Sequence, residues 1–290
     1  MLRFVVRRVL TIVAIVVGIV FFAQLGMGMV SNSRTARPDY DLVENGLRAW
    51  QDTRAFFLGH TPIPKRELLW QSYVNSMGLL LVAITVAAVI GLWVGGAAAL
   101  TRKKFLVLPL LALTIVGIST PSFFAALLLQ VGELRYLKTF GHRLVSMGGF
   151  GWDFQHMLMP VLVLAALPLA YLTRASFLGL SRVMEEEYIR TAYSKALTQR
   201  QTVNSHALRN IAVPVLTALG VSIRFSLSTL PVVEFFFAWP GMGRRLLEAI
   251  DSRQTVVVVV LAAALGLTFL AINLLLDVVF RLVDPRMREE

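Results

Sequence analysis

Residues 185–214 read EEEYIRTAYSKALTQRQTVNSHALRNIAVP. This polar stretch sits inside a chain that is 57% hydrophobic and only 16% charged. Glu185 to Leu197 holds good helix formers and no glycine or proline. Thr198 then offers an N-cap, and Gln201 three residues later completes the pattern of a capping box. A second short helix is expected from Gln199 to about Asn210, with the next segment beginning near Pro214, because proline costs little in a first helical turn. Ala192, Leu197, Val203, Ala207 and Leu208 recur so that each helix carries a small apolar face. Short amphipathic helices of this kind dock on a lipid surface or in a protein groove. The plainer reading is a solvated linker; the recurring apolar face favours docking.

Around this stretch the chain is membrane-like. A soluble domain carries about 25% charged residues, and here the mean hydropathy is +0.70. The deficit is concentrated in uncharged runs: Val9 to Val30, Met77 to Leu100, Phe105 to Gly132, Met157 to Thr173 and Gln254 to Leu276, with Ile211 to Val233 interrupted only by Arg224. About 20 residues cross a bilayer core as a helix. Six transmembrane helices are therefore predicted, at about 9–30, 73–100, 105–132, 157–181, 211–236 and 254–280, in one all-α integral membrane domain spanning 1–290. Arg3, Arg7 and Arg8 look like the start of a signal peptide, but the apolar run is too long for a cleaved segment; an uncleaved first helix is expected.

A cytoplasmic N-terminus places 101–104, 181–210 and 281–290 inside, and 31–70, 133–156 and 237–253 outside. Lys plus Arg then number 14 inside against 12 outside, a weak bias that is clearer in the tight inner turn TRKK, residues 101–104. The outer segment 31–70 is expected to carry a short helix around Leu42 to Phe57. The net charge of +11 sits at helix ends, as membrane anchors do, rather than in one patch, so nucleic acid is not an expected partner. The chain has no cysteine, which excludes disulfides and thiolate chemistry.

At this point the polar stretch acquires a specific likeness. Glu187, Tyr188, Ile189, Arg190, Thr191, Ala192, Lys195, Leu197, Arg200, His206, Ala207, Leu208, Arg209, Asn210 and Pro214 resemble the cytoplasmic EAA coupling loop of ABC importer permeases, in the branch serving dipeptide, oligopeptide and nickel importers. Ala196 stands where that family places a glycine between the helices, so the turn is expected to shift towards Thr198 or the helix to run on. STPSFF around Pro121 and Ser122, then His156, Pro160, Leu167, Pro168 and Arg174, resemble family patterns of the third and fourth helices. EFFFAWPGMGRRLLEAI, residues 234–250, resembles the outer loop, with Glu234, Trp239, Pro240 and Gly241 at matching places, and NLLLDVVFRLVDPRMR, residues 273–288, resembles the tail. The first third departs: GMGMVSNSRTARP, residues 26–38, stands where relatives open a longer outer segment.

The resemblance implies a type I (MetI-like) importer permease core in a bacterial or archaeal plasma membrane, with both termini cytoplasmic and loop 182–210 in a groove of an ATPase. It also implies the partners: a second homologous permease, two cytoplasmic ATPase subunits holding ATP and Mg, and an extracytoplasmic binding protein. Peptides are the leading cargo; nickel chelates, oligosaccharides, glutathione and haem are alternatives.

The chain's own residues point away from other classes. There is no phosphate-binding loop, no metal-ligand spacing among His60, His142, His156 and His206, no bound cofactor implied, and no clustered catalytic set. An intramembrane carboxylate relay, the mark of many secondary transporters and channels, is missing. Arg224 is the odd charge, in the middle of the fifth helix: either it lines the path and meets an anionic group of the cargo, or it pairs structurally at an interface. Pro121 and Pro168 are either hinges or static kinks. Glu234 and the Trp239–Pro240–Gly241 turn are either a gate or an ordinary interfacial turn.

Overall fold

The computed structural model describes residues 2–33, 42–63, 66–101 and 104–283, and every regular element among them is helical. In chain order these are α1 (Leu2–Ser33), α2 (Leu42–Phe57), α3 (Arg66–Leu100), α4 (Lys104–Ser119), α5 (Ser122–Phe140), α6 (Phe154–Met184), α7 (Glu187–Ser194), α8 (Gln199–Thr202), a π turn (Val203–Ala207), α9 (Leu208–Phe236), α10 (Met242–Asp251) and α11 (Thr255–Val283). Arg102, Lys103, the stretch 34–41 and the tail from Asp284 lie outside the described residues, as does the side chain of His206.

α1, α3, α6, α9 and α11 are each long and apolar enough to cross a membrane, and α4 with α5 makes a sixth crossing if counted as one broken span. The run 105–132, expected as one helix, is two, meeting at 108°. Pro121 causes the break. It has no N–H to give, it disfavours helical geometry in Thr120 before it, and its own ψ of 138° is extended. Pro109, Pro160, Pro168, Pro214 and Pro231 all lie inside helices that continue.

The chain forms two compact units, residues 1–76 with 240–275 and residues 77–239 with 276–290. In the first, α2 lies along α1, with Trp50 edge-on to Phe21 at 6.5 Å and Ala49 and Thr53 buried. Ser72, Asn75 and Ser76 form a buried polar row on α3, at the i, i+3, i+4 spacing of one helix face. Ser76 accepts the Met242 N–H at 2.7 Å, Asn75 donates to the Pro240 carbonyl at 3.1 Å, and Arg245 Nε donates to Ser72 at 2.8 Å.

In the second unit α6 and α9 share the largest packing surface, with α4 against α6 and α5 against α9. The C-terminal half of α3 reaches α6 through the small-residue pair Gly91 and Gly95, a G-x-x-x-G spacing that lets backbones approach closely. Ser176 Oγ donates to the Leu92 carbonyl at 3.2 Å across that contact. A methyl group on Gly95 would overlap the Thr173 carbonyl, whereas one on Gly96 would stand 3.8 Å from the nearest atom.

Candidate functional site

The polar loop has a buried side and an exposed side. On α7, Ile189 and Ala192 are buried, while Glu187, Arg190, Thr191 and Lys195 are exposed. Thr198 caps α8 as its sequence promised: its side chain accepts the Gln201 N–H, and the Gln201 side chain accepts the Thr198 N–H, so two end donors are satisfied reciprocally.

Ala196 departs from expectation. It takes the left-handed conformation, φ 61°, that the family glycine would supply. The turn neither shifts nor straightens. The Leu197 N–H reaches the Ala192 carbonyl at 3.3 Å and the Ala196 N–H reaches Tyr193 at 2.9 Å, the paired bonds of a Schellman cap. Leu197, at the position that often carries an apolar contact in such caps, is half-buried. The same two-bond ending closes α9 at Ala238 (φ 51°) and α10 at Arg253 (φ 56°).

The second helix does not stop before the membrane. From Gln199 to Phe236 the chain stays helical, through the π turn, and Pro214 lies inside α9. The wide π turn spaces Thr202 five residues from Ala207, and both are fully buried. Ala207 and Ile211 then pack on Leu180 of α6, with Ala99 and Leu100 of α3 and Val183 alongside. Asn210 Nδ2 donates to the Tyr188 hydroxyl at 2.9 Å, tying α9 to α7. Arg200, Arg209 and Asn210 remain exposed. The loop is thus a charged surface rooted in three long helices.

A second constellation surrounds the break at Pro121. A cavity of about 470 Å³ is lined by Pro121 and Ser122, by Leu164 and Leu167 of α6, and by Ser226 and Thr229 of α9. Ser226 Oγ donates to the Leu164 carbonyl at 3.4 Å. Pro168 is buried in α6 and Arg224 does not line this cavity. The Arg224 Nε is buried with no hydrogen-bond partner among the described residues.

At the other end of α9, Glu234 and Trp239 are fully buried. Trp239 meets Trp152 and Phe150 edge-on at 5.3 and 5.1 Å. Gln130 donates to the carbonyls of Met147 and Phe236, both at 2.9 Å. Buried Glu133 accepts the N–H groups of Leu144 and Val145 at 2.7 and 3.3 Å. Asp153 caps α6: the His156 ring bonds its carboxylate at 2.8 Å and the His156 N–H donates to it at 3.1 Å, which holds the Asp153 carboxyl below the usual carboxylate range. Pro240 and Gly241, by contrast, serve the polar row of α3 and the start of α10.

Gln130, Glu133, Ser72, Asn75, Ser76 and Thr202 were not singled out by the sequence. All but Thr202, which lies within the polar stretch itself, share one signal: a polar side chain in or beside an apolar run.

Three proteins illustrate what the chain is similar to. A Brucella abortus protein, named provisionally as a peptide transport system permease protein, is 31% identical over 81% of this chain and 74% of its own. The dipeptide transport system permease protein DppB of Bacillus subtilis is 32% identical over 77% of this chain and 70% of its own. The glutathione transport system permease protein GsiC of Salmonella choleraesuis is 32% identical over 78% and 72%. The family described as "Binding-protein-dependent transport system inner membrane component" matches residues 87–289, which include the break at Pro121, the polar loop and all of α11. The chain is a member of that family: a multi-pass inner-membrane permease of an ABC import system.

Proposed function

We propose that this permease forms half of the translocation path of an ATP-driven peptide importer, and that loop 182–210 couples it to a cytoplasmic ATPase. The observation that carries the coupling role is the two-sided loop: Ile189 and Ala192 are buried on α7 and Ala207 packs against Leu180 and Ile211 at the roots of α6 and α9, while Arg190, Lys195, Arg200 and Arg209 face outward. A push on the exposed face would reach α3, α6 and α9 through Leu180, Ile211 and Leu100. Peptide cargo is supported by the names of the relatives. A second permease supplies the other half of the path, two ATPases hold ATP and Mg, and an extracytoplasmic binding protein delivers the peptide. The N-terminus lies in the cytoplasm.

In this reading Pro121, Ser122, Ser226 and Thr229 line the path at the break. Arg224, costly at membrane depth and unsatisfied at Nε, is assigned to the contact with the second permease. Glu234 and Trp239 belong to the closed outer end. The test is Arg209→Glu in the complete complex. The variant is expected to insert normally while losing ATPase subunits on purification, or losing the stimulation of ATP hydrolysis by peptide-loaded binding protein. Normal ATP-dependent peptide uptake by Arg209→Glu would refute the coupling role.

A further inference from the structure

A groove of about 710 Å³ runs between α3 and α11, within the first compact unit. Its walls are apolar: Leu69 of α3 faces Leu261, Ala264 and Leu267 of α11. One end is marked by Arg66, exposed and without an ion pair or hydrogen bond among the described residues. Trp70 and Tyr73, stacked at 5.5 Å, line the same stretch. Thr268 Oγ of α11 donates to the Tyr73 hydroxyl of α3 at 3.3 Å, joining the two walls.

Length decides what fits. The α11 wall runs from Val260 to Ala271, which at 1.5 Å per residue is about 16 Å. One leaflet of a bilayer core is about 15 Å deep. Both helices are long and apolar enough to cross a membrane, and a groove on the outside of such a pair would meet lipid. Its single unpaired cation stands at the end of α3, where headgroups lie, beside the amphipathic aromatics that favour that depth. A hydrophobic channel one leaflet long, with a guanidinium at its mouth, matches one acyl chain and a phosphodiester.

We propose that this groove is a site for one retained anionic phospholipid. Its acyl chain lies along Leu69, Leu261, Ala264 and Leu267, and its phosphate meets Arg66. The leaflet is the one that holds the start of α3. The lipid fills a gap that would otherwise be occupied by bulk, exchanging chains.

The test uses the complete transporter in nanodiscs containing phosphatidylglycerol with a diazirine near the acyl terminus. After illumination, labelled peptides are mapped. Labelling is expected to concentrate on the α3 and α11 peptides that contain Leu69 and Leu267. Arg66→Gln should lower it about five-fold, and Ala264→Trp, which fills the groove, should abolish it. Unlabelled phosphatidylglycerol should compete better than phosphatidylcholine in the wild-type protein, a readout that survives if Ala264→Trp fails to fold. Labelling spread evenly over all lipid-facing helices, with the two lipids competing equally, would overturn the proposal. So would a photo-reactive residue at position 267 that captures the second permease, because protein would then cover the groove.

Discussion

Asn210 and Tyr188, 22 residues apart, are joined by a 2.9 Å hydrogen bond that locks the start of α9 to α7. The bond closes the polar loop on itself. It ties α7 directly to the first turn of α9.

Tyr188→Phe removes that bond and nothing else. A hydrogen bond of this kind contributes about 1 kcal/mol net, too little to unfold the chain. The expected outcome is a chain that inserts and assembles normally but transports less peptide per ATP hydrolysed, measured in proteoliposomes of the whole complex. An unchanged ratio would show that the two helices need no direct tie.

Ala196, Ala238 and Arg253 hold left-handed turns that disfavour a side chain, at about 1–2 kcal/mol each. Ala196→Gly should therefore stabilise the loop, seen as slower amide exchange at Ala196 and Leu197. Ala196→Val should do the reverse, because a β-branched residue tolerates positive φ least.

Gly95→Ala should lower the thermal midpoint of the purified permease, because overpacking costs about 1–3 kcal/mol and the obstacle is the backbone carbonyl of Thr173. Gly96→Ala, one residue along the same helix, should leave it unchanged. Equal effects at the two positions would show that the α3–α6 approach does not depend on the missing methyl.

The Asp153 carboxylate should hold its cap until the solution is acid. Its carboxyl pKa is lowered on folding, chiefly by the bond from the His156 side chain. Its stabilisation is therefore fully present above the unfolded value, about 3.9, and is lost only as pH falls through the lower folded value. Amide exchange at His156, corrected for intrinsic rates, should rise as pH falls through the lowered carboxyl value, and should be raised in Asp153→Ala at every pH above it.

Local chemistry was the legible part of this chain. The Thr198–Gln201 cap and the helix Leu42–Phe57 each rest on neighbours within one or two turns, and both lie where their residues put them. Proline was ambiguous: six prolines sit in or at the edge of apolar helices, and one of them, Pro121, divides a run. What separates it is the extended backbone it takes, not anything in STPSFF. Ala196 was misread because alanine resists a left-handed turn on its own; the two cap bonds to the Ala192 and Tyr193 carbonyls outweigh that resistance. The row Ser72, Asn75, Ser76 could not be read at all, since two of its partners, Pro240 and Met242, lie more than 160 residues away.

The coupling role is tested most directly by cross-linking, and a chain with no cysteine of its own suits the experiment. A single cysteine at Arg200, on the exposed turn, is paired with cysteines along the groove of the ATPase in the assembled importer. Rapid disulfide formation with the ATPase, altered when ATP and Mg are added, is the expected result. A complex that imports peptide at the normal rate yet never cross-links from position 200, 208 or 209 would contradict the account.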